Sequence, residues 1–589
     1  MRNVADAIVD RVRAWGVQRI FGYAGDGVDP LLGALHRRQD EVELVTARHE
    51  EMAAFMATGH AKYTGEVGVC LATQGPGAVH LLTGLYDAKL DRKPVVAIVG
   101  HVVTSALGSG YQQEVELPTL FKDVCGSYVG ELLTPEQLDQ VVDDAFRTAL
   151  ATSSPTCIIV PHDVQQAEAP ELEHAHGIVP SAPVIATPRV LPADADLDRA
   201  AELLNAGQRV ALLVGQGSRH ATAEVHEIAE LLGAGVTTSL LGKPWVDESL
   251  PLMCGTMGHL GTTASADLMA QCDTLLIIGS DDPWTEYYPA PGQARAVQID
   301  LFAAQLGRKY PIEVGLAGDA AETLRALRPR LQRRDHPWRG RVESMVRTWR
   351  ELRAERSAEV TDPMNPQAVV AGLSTQLPAD AQVAVDVGSV VYWYARHLDL
   401  PVGVPAHLSS TLASMGSALP YGLAAKLAAP QRPVVALCGD GAMQMSGNSE
   451  LITVAHRWRD WADPRFVVLV LNNGELTEVT WEQREMEGDP RFPASQVVPP
   501  FPYADYARLL GLQALRIERA EEIGPAWEQA FTADRPTLIE AVVDPESPLL
   551  PPRAPAQKIE KMLDGLAQED SAATAEKVQR HHEQETRDG

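Results

Sequence analysis

Apolar positions along the 589-residue chain fall into short unbroken runs, separated by longer stretches of helical spacing. Val67-Gly68-Val69-Cys70-Leu71-Ala72, Val95-Val96-Ala97-Ile98-Val99, Val210-Ala211-Leu212-Leu213-Val214, Pro433-Val434-Val435-Ala436-Leu437 and Phe466-Val467-Val468-Leu469-Val470-Leu471 read as short buried strands. Between the last two, Met445 to Trp458 repeats its apolar residues at helical spacing, so this part predicts a βαβ unit. The alternation predicts an α/β chain of three doubly wound, parallel-sheet domains. Their expected bounds are 1–170, 190–332 and 363–545. Pro180, Pro183, Pro188 and Pro192 mark an extended linker, and the Arg/Asp-rich span from Arg328 to Asp362 predicts a solvated connecting helix. Residues 546–589 predict a polar tail with one short amphipathic stretch (Ile559, Met562, Leu563, Leu566) and a disordered end of about twenty residues.

Polar signatures stand at the carboxyl ends of two of these strands. Cys438-Gly439-Asp440-Gly441-Ala442 follows one and Leu471-Asn472-Asn473 closes the other, where open α/β sheets bind ligands. Gly439 and Gly441 let the backbone approach a diphosphate at a helix start, where free N–H groups and the helix dipole favour anions. Asp440 and Asn473 offer hard oxygen ligands, which suit Mg2+ bridging two phosphates. A further corner follows Val42-Glu43-Leu44-Val45, where Arg48-His49-Glu50-Glu51 precedes a helical run through Met52, Phe55 and Met56. Buried there, a carboxylate gains a raised pKa and serves as a proton partner. Left at the surface, it makes an ordinary helix-dipole contact.

A net charge of −28 argues against a nucleic-acid surface. No run of eighteen apolar residues occurs, so no transmembrane helix is expected, and the start reads as an amphipathic helix rather than a signal peptide. Six scattered cysteines form no CxxC and read as reduced core residues of a cytoplasmic protein.

Gly-Asp-Gly followed by Asn-Asn resembles the diphosphate-anchoring motif of thiamine diphosphate (ThDP) enzymes. The resemblance implies Mg2+ held by Asp440, Asn473 and the main chain of Glu475. The spacing is longer than usual, and the excess falls in a polar helix-to-strand loop, Arg457 to Arg465. Arg48-His49-Glu50-Glu51, Ala72-Thr73-Gln74-Gly75-Pro76-Gly77 and Gly84-Leu85-Tyr86-Asp87-Ala88 are similar to the pyrimidine-binding domain of the same superfamily. That likeness implies that Glu50 bonds a pyrimidine nitrogen and promotes the imino tautomer that takes the C2 proton. Half-sites in the superfamily usually come from different subunits, which implies a homodimer or homotetramer. Ser109-Gly110-Tyr111-Gln112-Gln113-Glu114 resembles the active-site Phe-Gln-Glu segment of pyruvate oxidases and acetolactate synthases, making Gln113 a catalytic candidate. Asp386-Val387-Gly388 and Thr411-Leu412-Ala413-Ser414-Met415-Gly416 match a diphosphate-contacting loop and the bulky residue that bends ThDP. Gly388, Ser414 and Met415 are therefore expected at the cofactor beside Gly439, Asp440, Gly441 and Asn473.

The likeness, strongest to the pyruvate oxidases, implies decarboxylation of a 2-oxo acid through an enamine, with electrons passed to FAD and an acceptor. The alternatives are an acetolactate-synthase-like carboligase and a non-catalytic subunit of the same fold. For FAD the middle block offers Gly215-Gln216-Gly217-Ser218, Gly255 to Gly261, Ile278-Gly279-Ser280-Asp281 and Gln298-Ile299-Asp300 in the expected order. Some positions depart from the pattern. Gln112 replaces an aromatic, Leu412 a His, and Glu478 the Phe that packs on a pyruvate methyl group, so a polar 2-oxo acid is expected. Glu478 is thus a catalytic candidate, and so is Glu482, which with Trp481 resembles the Trp-Glu pair of acetolactate synthases; Trp481 fits a pocket or a core equally. The polar carboxyl terminus lacks the apolar face of a stable membrane anchor.

Overall fold

The computed structural model describes residues 2–170, 176–334 and 337–586. Among them, eighteen strands form three six-stranded parallel sheets with flanking helices. Two compact units emerge, one of Met1–Thr187, His407–Ala436 and Met443–Phe466, the other of Pro188–Ala406, Leu437–Ala442 and Val467–Gly589.

The first sheet holds β1 (Arg19–Gly22), β2 (Glu43–Thr46), β3 (Gly68–Ala72), β4 (Val95–His101), β5 (Val129–Glu131) and β6 (Pro155–Pro161), in the order β2-β1-β3-β4-β6-β5. Strands β4 and β6 are buried at every residue because helices cover both faces, so each reads as a continuous apolar run. On one face Val96, Ile98, Ile158 and Val160 pack with Ile8, Val12 and Phe146. Helix Glu50–Thr64 packs against helix Ala418–Ala428 in the same unit. Gly59 permits the approach, since a Cβ there would lie 2.9 Å from the Tyr421 ring.

The central sheet holds β7 (Val210–Val214), β8 (Gly235–Thr238), β9 (Met253–Thr256), β10 (Thr274–Ile278), β11 (Arg295–Asp300) and β12 (Val314–Ala317). Its order, β12-β11-β10-β7-β8-β9, is that of dinucleotide-binding folds, with the reversal between β7 and β10. The third holds β13 (Gln382–Val385), β14 (Ala406–His407), β15 (Val434–Gly439), β16 (Phe466–Asn472), β17 (Gln513–Ile517) and β18 (Thr537–Val542). Its order, β14-β13-β15-β16-β18-β17, repeats that of the first sheet.

Three expectations need correction. Helix Pro337–Ser357 is no solvated connector: Trp338, Val342, Met345, Val346 and Trp349 join a core with Leu268 and Leu275. Five arginines on its other faces mask that apolar stripe in composition. The carboxyl-terminal segment is not disordered, because Ala556–Gln568 and Ala572–Thr586 are helices; only 587–589 lie outside the described residues. They are held by Val578, fully buried, and by ion pairs such as Arg356–Glu585 (2.9 Å) and Lys577–Asp544 (2.9 Å). Those partners are remote in sequence, so composition could not reveal them. Lastly, the helix expected from Met445 is irregular, with a π-helical turn at Met443–Gly447 before Asn448–Arg457. No helix among the described residues is long and apolar enough to cross a membrane.

Candidate functional site

In the first unit, β2 leads into helix Glu50–Thr64, whose N-cap His49 accepts the Glu51 N–H at its Nδ1 (3.3 Å). Glu50 is buried, and its Oε2 lies 3.0 Å from Nδ1 of His80. The His49 and His80 rings are 4.3 Å apart. The corner is braced by Glu450, a fully buried carboxylate that accepts the Arg48 N–H at 2.6 Å. Burial pushes the Glu450 carboxyl up, against hydrogen bonds from Arg48 and Thr453. Gln113 has a left-handed backbone (φ 63°), and its Oε1 accepts the Gln74 amide at 3.0 Å. Glu114 accepts the N–H groups of Gly108, Gly110 and Tyr111, which shapes that loop. Ser414 and Met415 are half-buried on the segment after β14, where the Ser414 N–H donates to Ser409 Oγ (3.0 Å).

In the second unit, β15 ends at Gly439, and Asp440, the next residue, is buried beside the end of β16. Its Oδ2 accepts the N–H groups of Asn473 (3.1 Å) and Gly474 (2.6 Å), and its Oδ1 that of Gly441 (2.8 Å). Burial pushes the Asp440 pKa up to about 6, opposed by those backbone amides. Oδ2 has both lone-pair positions engaged by these amides, whereas Oδ1, with one N–H, keeps a lone pair for a cation. Asn473 Oδ1 accepts the Glu475 N–H (3.0 Å), while its amide donates to Thr477 (2.7 Å). The Glu475 side chain turns to Arg491 (2.8 Å) and Thr480 (2.5 Å), so its carbonyl is the oxygen left for a metal. No protein atom lies within 4 Å of a Cβ built on Gly388, Gly439 or Gly474, at the ends of β13, β15 and β16. Hard oxygens beside an open glycine cradle fit Mg2+ and a diphosphate. Sequence reading missed Tyr503, whose hydroxyl donates to the Asp440 carbonyl (3.0 Å); no local motif marks it. His80 was also missed, although its place four residues beyond Pro76 puts it on the helix that follows the quoted glycine motif.

Glu478 and Glu482 lie one turn apart on helix Thr477–Glu487. Burial pushes Glu478 up to about 7, with Glu482 adding repulsion, and among the described residues neither has a cationic partner. Glu485, a turn further, pairs with Lys558. Trp481 is a core residue, 1% exposed, with Arg484 over its ring at 4.7 Å.

At the central reversal, the Gly215 N–H donates to Ile278 O (2.9 Å) and the Gly217 N–H to Gly279 O (3.0 Å). A Cβ on Gly217 would meet Gly279 Cα at 2.7 Å, so these glycines already serve backbone packing. Thr238 and Thr256, at the ends of β8 and β9, are buried, and among the described residues their hydroxyls have no hydrogen-bond partner. Those orphaned groups fit a bound polar ligand such as FAD.

Sheets wound in this order, with an acidic and amide pair at the strand ends, fit an α/β enzyme that holds a diphosphate cofactor. Comparison with known proteins agrees. Residues 2–120 match the model "Thiamine pyrophosphate enzyme, N-terminal TPP binding domain", 197–327 its central domain, and 386–541 its C-terminal TPP binding domain. The chain is 32% identical to the putative thiamine pyrophosphate-containing protein YdaP of Bacillus subtilis, covering 93% of each chain. It is 31% identical to the acetolactate synthase isozyme 2 large subunit of Escherichia coli, over 95% of this chain and 100% of that one. Identity to the pyruvate oxidase of Lactiplantibacillus plantarum is 27%, over 94% and 90%. The chain belongs to the thiamine pyrophosphate enzyme family, in the group that includes pyruvate oxidase and acetolactate synthase.

Proposed function

We propose that this chain decarboxylates a 2-oxo acid with Mg2+-anchored ThDP and passes electrons to FAD and an acceptor, in the manner of a pyruvate oxidase. The observation that carries the reading is the Asp440–Asn473 pair beside the open glycines Gly388 and Gly439. Asp440, Asn473 and the Glu475 carbonyl would hold the metal, and Gly388, Gly439 and Gly441 the diphosphate. ThDP when bound supplies a carbanion-stabilising centre at its C2. Glu50, oriented by His80, would hold a proton for exchange with the cofactor's pyrimidine nitrogen. Met415 and Ser414 would contact the cofactor, and Gln113 would face the substrate. FAD is supported by the dinucleotide-type strand order of the central sheet and by the unpaired hydroxyls of Thr238 and Thr256.

Glu478 and Glu482 select the substrate. Two carboxyl groups without cationic partners among the described residues favour a 2-oxo acid with a hydrogen-bonding side group over pyruvate, since an unpaired polar site penalises an apolar ligand. Carboligation is the second reading, favoured by the higher identity to acetolactate synthase (31% against 27%). Purified protein with ThDP, Mg2+ and a panel of 2-oxo acids decides between them. Release of CO2 with bleaching of the flavin supports the oxidase, while a condensed hydroxy-oxo acid without bleaching supports the carboligase. Turnover of none would end both readings.

A further inference from the structure

Three ionisable side chains of the first unit, Lys62, Asp87 and Asp91, are fully buried and lie outside the site described above. Lys62 sits on helix Glu50–Thr64, Asp87 on helix Leu82–Leu90, and Asp91 caps the latter. Lys62 Nζ donates to Asp91 Oδ2 (2.7 Å) and lies 3.3 Å from Asp87 Oδ2. Tyr421 donates its hydroxyl to Asp87, and its ring lies 4.6 Å under the ammonium. Burial pushes Asp91 up, but Lys62 and hydrogen bonds from Lys62, Thr411 and Ser410 outweigh it and hold the group low.

Burying such a cluster costs several kcal/mol per ion in desolvation, and apolar residues of similar size often stabilise helix packing as well. What apolar residues could not do is bind the chain that runs towards Met415. Asp91 accepts two successive N–H groups there, Ser410 at Oδ2 and Thr411 at Oδ1, both at 3.1 Å. Lys62 donates to the carbonyl of Leu408 at 2.6 Å. Beyond them Ser409 Oγ takes the Ser414 N–H, and Ala413 is held in a left-handed backbone (φ 56°) that alanine rarely adopts. Strain of this kind persists only where neighbours over-determine it.

We propose that Asp91 is a positioning residue for the cofactor site: with Lys62, it clamps residues 408–411 so that the strained turn presents Met415 at a fixed height. The proposal rests on the reading that Met415 meets ThDP. The clamp is made by the pyrimidine-side helices themselves, so one buried charge cluster couples the helix that begins at Glu50 to the Met415 turn.

The test uses the full-length chain with both clamp charges replaced together, Lys62→Met with Asp91→Leu, so that the remaining acid, Asp87, keeps only the hydroxyls of Tyr421 and Ser409 as partners. Ser409→Ala is the milder companion, cutting the strut to Ser414 and the Ser409 bond to Asp87 while leaving the Lys62–Asp91 pair in place. Hydrogen exchange without cofactor should show faster exchange at the amides of Ser410, Thr411 and Ser414 in the double variant, and at Ser414 alone in Ser409→Ala. With ThDP and Mg2+ added, exchange of the cofactor C2 proton should slow about 10- to 100-fold in the double variant and less in Ser409→Ala. ThDP affinity should stay close to the parent. Met415→Ala is the control. If Met415→Ala slows C2 exchange while the clamp variants leave it unchanged, the positioning role is wrong and the Met415 reading stands. If Met415→Ala itself changes nothing, that reading fails and the proposal falls with it. A double variant that does not fold leaves the decision to Ser409→Ala, where loosened Ser414 and an unaltered C2 rate overturn the proposal.

Discussion

The first and third sheets are wound in the same order, β2-β1-β3-β4-β6-β5 and β14-β13-β15-β16-β18-β17, but use their reversal points differently. Between β1 and β3 the crevice is filled by protein. A Cβ on Gly25 would lie 2.6 Å from Thr73 Cβ, one on Gly27 would lie 1.2 Å from Gln74 Oε1, and Thr73 Oγ1 accepts the Gly27 N–H at 3.0 Å. Between β13 and β15, Gly388 and Gly439 have no protein atom within 4 Å of the same construction. Glycine makes room for a neighbouring side chain in the first sheet and leaves room beside an oxygen-ligand pair in the third. With its crevice plugged, the first sheet carries its candidate chemistry one strand outward, on Glu50 after β2. Topology sets where a site is allowed; the residues after each strand decide whether it is used.

The largest effect should come from the outward-displaced group. In Glu50→Gln we expect exchange of the ThDP C2 proton to slow by about 10²–10⁴, with the cofactor still bound, because an amide cannot trade the proton that a carboxylate does. NMR of the bound cofactor measures it, and a parental rate would move the role away from Glu50. Asp440→Ala acts on the other sheet. Calorimetry with ThDP and Mg2+ should show affinity reduced by more than about 100-fold, because the diphosphate then lacks its cation bridge. Parental affinity would remove Asp440 from the metal site.

Much of this contrast is legible in sequence. β4, β6, β15 and β16 are continuous apolar runs, and Gly439-Asp440 and Asn473 stand directly at their ends, so local order fixes both strand and site. Glu50 was legible only through family likeness, since a Glu at a helix start is common. Its orienting partner His80 comes from another helix, and Glu450, which braces Arg48, lies 402 positions away. The strand sequences alone leave the plugged crevice hidden, because Gly25 and Gly388 look alike until their neighbours are placed. The carboxyl-terminal helices were missed for a related reason: ion pairs to Arg356 and Asp544 hold residues that composition marks as polar.

Two glycine substitutions separate the crevices. Gly439→Ala has free space around its Cβ, so Tm should hardly move, whereas ThDP affinity should fall by about 10-fold or more as the methyl group enters the diphosphate cradle. Gly25→Ala meets the branched Thr73 and should lose about 1–3 kcal/mol of stability through overpacking. Denaturant unfolding and calorimetry on both proteins would show the crossing pattern. Equal losses of stability would mean that the two crevices are built alike after all.

The smallest effect lies beyond β16, on the helix that carries Glu478. Its pKa is raised from 4.5 in the unfolded reference to about 7, first by burial and then by Glu482. Between those values the folded chain binds more protons than the unfolded chain, so stability falls as pH rises through the window and the loss is complete above about pH 7. Glu478→Gln keeps the shape and removes the ionisation. The variant should therefore match the parent near pH 4.5 and exceed it by roughly 1–2 kcal/mol at pH 8, an amount reduced by the partial solvent contact of the group. Urea unfolding of both proteins across that range provides the measurement. A constant difference from pH 4.5 to 8 would mean that Glu478 titrates as an ordinary surface carboxyl. The third sheet would then present its open crevice without the poised acid beside it, and the substrate preference assigned to Glu478 would lose its physical basis.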